Sequence, residues 1–94
     1  MEVKVVKQTD QLMEIEIVGE EHTLTNLLVG LLAKDSHVKN AFYNAPHPLI
    51  DSIVMTIITD GQEKPMDALL NAIDEAVNLT EQFEKEFKSP KEGQ

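Results

Sequence analysis

Histidines are the side chains of this sequence with the most versatile chemistry, because they bind metals and transfer protons near neutral pH. His22, His37 and His47 are separated by 15 and 10 residues. One helix or strand presents two metal ligands only at spacings such as H-x-x-x-H or H-x-H, and the sequence contains neither. The spacing therefore predicts no metal site.

The other residue types that commonly act in catalysis are either absent from this sequence or occur outside known catalytic motifs. Cysteine is absent, which excludes thiolate nucleophiles and disulfides. Ser36, Ser52 and Ser89 lie in no nucleophile-elbow pattern, and the sequence has no glycine-rich phosphate loop. Neighbouring acidic residues such as Glu20 and Glu21 are typical of solvated charges. We therefore expect no catalytic residues and no cofactor.

The charge balance favours a protein partner over a nucleic acid. Seventeen acidic residues against eight lysines, with no arginine, give a formal net charge of −9. Proteins that bind nucleic acids rely on a positive field and on arginine forks, so this chain should repel them. A basic protein partner is one explanation of the acidity, and improved solubility of a small protein is the other.

Length limits the chain to one domain, which we place at residues 1–88, with a disordered tail at 89–94. A chain of 94 residues buries only about 60–65% of the surface that it exposes when unfolded, so the domain is marginally stable alone. The sequence has neither a basic leader with an apolar run nor an 18-residue apolar stretch. We expect a soluble, cytoplasmic protein.

Alternating apolar residues predict four strands. Segments 2–7 and 12–18 should form an antiparallel hairpin, the first half-buried through Val3 and Val5. A third strand spans 38–45, with Val38 and Phe42 on one face and Ala41 and Tyr43 on the other. Segment 50–59 is rich in β-branched residues and nearly continuous in hydrophobicity, which indicates a central strand.

The first helix should begin at about Leu24, with Thr23 as its N-cap. Apolar spacing then places five leucines on one side, which must be buried; they are Leu24, Leu27, Leu28, Leu31 and Leu32. Gly30 costs about 1 kcal/mol relative to alanine inside a helix. Its presence indicates either neutral drift or a close helix crossing, and small residues at Asn26 and Ala33 favour the crossing.

The second helix should run from Pro65 to about residue 87 with a nearly heptad apolar repeat. Its length, roughly 34 Å at 1.5 Å per residue, exceeds the diameter of a compact domain of this size. Phe83 and Phe87 would project past the core. We expect them to contact a partner.

Several motifs together resemble one known family. Residues 19–28 read GEEHTLTNLL, residues 43–49 read YNAPHPL, 59–61 read TDG and 65–70 read PMDALL. In order and spacing they resemble the small assembly subunits of multisubunit RNA polymerases, a family that includes the dimerisation part of the bacterial alpha subunit. The resemblance covers nearly the whole chain.

This resemblance implies an α+β fold of order ββαββα, in which a four-stranded antiparallel sheet packs against two helices. It also implies a non-catalytic polypeptide that pairs through its helices with the larger, D-type subunit of the polymerase and supports assembly of the large catalytic subunits. We assign six residues to the partner interface: Leu28, Leu31, Leu32, Val77, Phe83 and Phe87. Six more should fix local geometry: His22, Thr23, Asn26, Gly30, Pro46 and His47.

Two residues depart from the family pattern. Thr25 replaces a usual glycine, which puts a β-branched side chain at the expected crossing and should loosen or shift the partner contact. Lys64 replaces a helix cap before Pro65, at a cost of about 1 kcal/mol.

One alternative from another functional class is a homodimeric domain that binds a small molecule. It requires an enclosed pocket with convergent polar groups, and the sequence offers few residues to line one. Self-association of the isolated chain is compatible with either function.

Overall fold

The computed structural model describes residues 2–19, 22–45 and 51–88, with His22, Phe87 and Lys88 described by their backbone alone. The tail at 89–94 and the motif residues Pro46 and His47 lie outside these ranges. The elements in chain order are β1 (Glu2–Gln8), β2 (Leu12–Val18), α1 (His22–Ala33), β3 (Val38–Asn44), β4 (Ser52–Thr59) and α2 (Pro65–Lys88).

The four strands form one antiparallel sheet in the order β1-β2-β4-β3. The predicted hairpin of the first two strands is confirmed, with Ile15 of β2 opposite Val5 of β1. The predicted central position of β4 is also confirmed, since Met55 lies opposite Ile15 on one side and Tyr43 on the other. Met55 and Ile57 are fully buried. This burial is expected of a central strand whose side chains are covered by helices.

Both helices cover the same face of the sheet and produce a two-layer α+β domain only 16 Å thick along its shortest axis. Core side chains come from β2, β4, α1 and α2. The largest that are fully buried are Met13, Leu32, Ile53, Met55 and Ile57. The predicted fold class is confirmed.

Strand β1 departs from the expected burial. Val3 and Val5 lie on the helix-facing side of the sheet, opposite Ile17 and Ile15, yet Val3 is 60% exposed. The prediction of a half-buried strand is wrong because the helices pack over β2, β3 and β4 and leave this edge strand uncovered.

A bulge changes which residues of β3 face the core. The register shifts between Val38 and Asn40, so Val38 packs against the core together with Ala41 and Tyr43. The prediction that Val38 and Phe42 share a face is therefore wrong. An extra residue in one strand moves the preceding side chain to the opposite face.

Helix α1 begins at His22, earlier than predicted. Gly19 has a φ of 80°, a conformation that turns the chain sharply at the end of β2 and is accessible mainly to glycine. Thr23 consequently lies inside the first helical turn, and its predicted role as the N-cap is wrong.

Helix α2 confirms the predicted long second helix. It starts at Pro65, directly after the turn that contains Gly61 with a φ of 90°. Its 24 residues correspond to about 36 Å at 1.5 Å per residue. The helix is therefore more than twice as long as the domain is thick.

Candidate partner-binding surface

The leucines of α1 divide into two groups. Leu28, Leu31 and Leu32 are buried in the core of this chain, whereas Leu24 and Leu27 are 37% and 38% exposed. The expectation that all five are buried is therefore wrong. Leu31 and Leu32, which were assigned to the partner interface, lie in the core of this chain, whereas Leu28 is buried and also lines an open groove beside α1. Because α1 lies on β3, the middle of the leucine stripe contacts the sheet and one flank remains accessible.

An open apolar groove of about 470 Å³ lies beside this flank. The lining residues come from α1, α2 and the helix-facing side of β1, β2 and β4: Val3, Ile15, Ile17, Leu24, Thr25, Leu27, Leu28, Met55, Leu69, Ile73, Ala76, Val77, Thr80 and Glu81. Within the described part of the lining, Glu81 is the one charged residue. We call this surface the apolar groove.

Helix α2 forms the wall of the apolar groove opposite α1. Ile73 and Val77 are both exposed there, and Val77, a predicted interface residue, is 48% exposed. Thr80 also lines this wall, but its hydroxyl donates a hydrogen bond to the Ala76 carbonyl at 2.9 Å. The wall therefore presents mainly apolar side chains.

Phe83 lies beyond the end of the core. It follows Ala76 by seven residues, so it continues the helix stripe on which Leu69, Ala72 and Ala76 are buried. The sheet ends before it, and Phe83 is 67% exposed. This exposure agrees with the predicted projection of the helix end past the core. The side chain of Phe87 is outside the described residues.

Two further residues of α1 stand out at or near the apolar groove. Thr25 is fully buried, and its hydroxyl has no hydrogen-bond partner among the residues that the structure describes. Gly30 is exposed, and a Cβ added there would meet no atom within 4 Å. The described part of the chain therefore makes no close crossing at Gly30.

Asn26 makes a contact between α1 and β3. Its Oδ1 accepts a hydrogen bond from the Tyr43 hydroxyl at 2.9 Å, which ties α1 to β3. Thr23 is exposed.

Charged side chains gather away from the apolar groove, where β3 begins and β4 ends. His37 Nδ1 lies 3.1 Å from Asp60 Oδ2. This hydrogen bond raises the pKa of His37 and lowers the pKa of Asp60. The interaction between the neighbouring side chains of Asp35 and Glu63 lowers the pKa of Asp35 and raises the pKa of Glu63.

This arrangement is suited to binding rather than catalysis. Within residues 2–19, 22–45 and 51–88, no group of three or more histidine or acidic side chains is placed to hold a metal ion. Neither helix of the described chain is both long and apolar enough to cross a membrane. Among the residues that the structure describes, Glu81 is the only acidic or basic side chain that lines the apolar groove. The exposed apolar surface of the groove is suited to burying apolar side chains of another molecule.

Comparison with known proteins identifies the family. Residues 12–86 match the model of the RNA polymerase Rpb3/Rpb11 dimerisation domain. This chain belongs to that family. The match confirms the family resemblance inferred from the sequence motifs.

Similar proteins match along nearly their whole length. DNA-directed RNA polymerase subunit Rpo11 of Sulfurisphaera tokodaii is 48% identical over 89 residues, which cover 95% of this chain and 96% of that protein. The Sulfolobus acidocaldarius protein of the same name is 48% identical over 88 residues, covering 94% and 98%. The crystal structure of DNA-directed RNA polymerase subunit L from Thermoplasma acidophilum superposes with a TM-score of 0.80 at 27% identity, covering 99% and 95%.

The alternative of a domain that binds a small molecule is not supported. It predicts an enclosed pocket with converging polar groups. The apolar groove is open along one side and is lined almost entirely by aliphatic side chains.

Proposed function

We propose that this chain is the L subunit of an archaeal DNA-directed RNA polymerase, a non-catalytic component that pairs with the D-type subunit. The pair would form the platform on which the large catalytic subunits assemble, in the cytoplasm. The observation that carries the proposal is the apolar groove, whose walls expose Leu24, Leu27, Ile73 and Val77.

Burial of these walls supplies a driving force for pairing. Fully burying one aliphatic side chain contributes about 1.5–3 kcal/mol. Four side chains that are already partly buried therefore contribute a few kcal/mol together, and Phe83 adds a large aromatic surface. Aromatic and aliphatic anchors of this kind dominate the energetics of protein interfaces.

The partner segment that fits the apolar groove is an apolar helix face. The groove lies between two helices and above a sheet, so a third helix could complete the layer by packing its side chains between those of α1 and α2. Acidic residues at its rim and along the end of α2, including Glu81 and Glu86, favour a partner with basic residues around its apolar face.

A charge in the apolar groove tests this function directly. Val77→Glu should lower the affinity for the D-type subunit from the same genome by about 30-fold or more, because a carboxylate would be buried against aliphatic side chains. Asn78→Glu is the matched control, since Asn78 is exposed and points away from the groove. Isothermal titration calorimetry measures the affinity of each variant for the D-type subunit. Circular dichroism verifies that both variants are folded.

Equal affinity of the Val77→Glu variant and the wild-type chain would show that the D-type subunit binds elsewhere. Failure of the wild-type chain to bind this partner would overturn the proposed function.

A further inference from the structure

Strand β1 carries apolar side chains on the side of the sheet that faces the helices. Val3 lies opposite Ile17, and Val5 lies opposite Ile15. Residues directly opposite each other in an antiparallel pair share a face of the sheet. Ile15 and Ile17 are buried in the core, yet Val3 and Val5 are both exposed. The apolar face of the sheet therefore extends one strand further than the helices that cover it.

The strand register shows how abruptly this cover ends. Val5, Ile15 and Met55 form one row across β1, β2 and β4. Met55 and Ile15 are buried, whereas Val5, about 4.8 Å further along the row, is 44% exposed. One additional layer of side chains above β1 would bury this end of the row.

Val3 joins the uncovered face of β1 to the apolar groove. It lines the groove together with Ile17 of β2 and with Val77 and Thr80 of α2. The floor of the groove therefore continues from β2 onto β1. Val5 lies two residues further along the strand, about 7 Å from Val3, and extends this floor. A segment that fills the groove and continues in this direction lies over both valines.

The free edge of β1 is poorly suited to pairing with another strand. The register shifts between Val5 and Lys7, and such a bulge disrupts the regular row of backbone groups. Lys4 and Lys7 are also exposed on this strand. Bulges and lysines are features that prevent edge-to-edge pairing of sheets. We therefore expect a partner to contact β1 through its apolar face rather than through its backbone.

We infer that β1 is part of the interface with the D-type subunit, whose groove-filling segment extends over Val3 and Val5 and covers them with apolar side chains. This inference rests on the proposed pairing, and it adds a strand of the sheet to an interface otherwise formed by helices. Continuity with the apolar groove identifies the occupant, because one segment can fill the groove and cover the strand. That segment would carry aliphatic or aromatic residues beyond the space between α1 and α2.

Thiol labelling tests this cover directly, because the sequence contains no cysteine. Val3→Cys and Val6→Cys each place one thiol on β1. Val6 is the matched control: it is 56% exposed, compared with 60% for Val3, but it lies in the bulge and does not line the groove. Both variants should react with a maleimide at similar rates in the isolated chain. Mass spectrometry of this chain measures each rate separately from any thiol of the partner.

Saturation with the D-type subunit should protect one thiol and leave the other reactive. Labelling of Val3→Cys should slow by about tenfold or more, and labelling of Val6→Cys by less than about twofold, because the centre of an interface excludes solvent. Equal rates for Val3→Cys with and without the partner would overturn the inference and leave the pairing intact. Equal slowing of both variants would also overturn it, since the partner would then bind the edge or both faces of β1.

Affinity provides a second measurement. Val3→Asp should weaken binding to the D-type subunit by about tenfold or more, because apolar side chains would desolvate the carboxylate. Val6→Asp adds the same charge to the same strand and should bind within about threefold of the wild-type chain. Circular dichroism verifies that both variants are folded. Binding of Val3→Asp as tight as that of the wild-type chain overturns the inference alone, whereas a wild-type chain that does not bind the D-type subunit overturns the proposed function as well.

Discussion

At the scale of single residues, the His37–Asp60 pair shows what the sequence could not reveal. The two residues are 23 positions apart, and they meet because β3 begins where β4 ends. The spacing of the histidines along the sequence predicts no metal site, but it does not predict that His37 pairs with a carboxylate, because that pairing depends on strand register. No local pattern in the sequence contains that information.

This pair should make stability depend on pH. Its hydrogen bond raises the pKa of His37, so its stabilising effect is complete below the unfolded-state value of about 6.5 and is lost as the pH rises through the folded-state value. The lowered pKa of Asp60 means that the effect is also lost as the pH falls below about 4.

Replacing His37 by Asn should therefore reduce the free energy of unfolding more at pH 5.5 than at pH 8.5. Urea denaturation of the two proteins at both values measures the difference. A difference between variant and wild-type chain that is the same at pH 5.5 and 8.5 would show that the pair does not stabilise the fold.

Gly30 is the residue where the sequence left two interpretations open. The structure shows no neighbouring atom within 4 Å of a Cβ built there, and Gly30 is not among the residues that line the apolar groove. Within the described chain, this observation favours neutral drift over a close helix crossing.

Replacing Gly30 by Ala should raise the free energy of unfolding by about 1 kcal/mol, because alanine is the better helix former. Affinity for the D-type subunit should not change. Chemical denaturation measures the free energy of unfolding, and isothermal titration calorimetry measures the affinity for the D-type subunit. A tenfold loss of affinity would instead reveal a close crossing between α1 and the partner.

At the scale of elements, most of the fold could be predicted from the sequence. Period-two alternation located β2, near-continuous hydrophobicity identified β4 as central, and the heptad spacing after Pro65 gave the extent of α2. The first two patterns succeed because each reports burial against the chain's own core, whereas the apolar repeat of α2 continues past that core. Sequence patterns fail where burial depends on neighbouring elements, as for β1, whose apolar face has no helix above it, and for the bulge in β3.

The same limit explains why three of the residues assigned to the interface are buried in this chain. The leucine spacing indicated which side of α1 is apolar, but not how that side is divided between the sheet and a partner. The orientation of α1 on β3 assigns Leu28, Leu31 and Leu32 to the core, and leaves Leu24 and Leu27 accessible. Val77 and Phe83 were also assigned to the interface, Phe83 because the length of α2 places it past the core, and both are exposed.

The projecting end of α2 should contribute to pairing. Replacing Phe83 by Asp is expected to lower the affinity for the D-type subunit by about 30-fold or more, while the fold is retained because Phe83 is largely exposed. Replacing Gln82 by Asp adds the same charge one residue away and should have little effect. Sedimentation equilibrium in the presence of the D-type subunit measures the affinity of each variant. Similar affinities for both variants would place the interface elsewhere.

At the scale of the whole molecule, the domain is unusually flat and extended. Its radius of gyration is 15.4 Å, compared with about 12 Å for a compact domain of this length. Its extents of 50, 37 and 16 Å correspond to one sheet and one layer of helices. A second polypeptide packed on the helix layer would bury the apolar side chains that remain exposed there.

The molecular mass in solution tests this account most directly. We predict that the chain mixed with an equal amount of the D-type subunit elutes as a 1:1 heterodimer by size-exclusion chromatography with light scattering. Should the isolated chain self-associate, the D-type subunit is expected to displace the second copy, since both would cover the apolar groove. A chain that remains a stable monomer in the presence of the D-type subunit would contradict the central claim that its helix layer is completed by that partner.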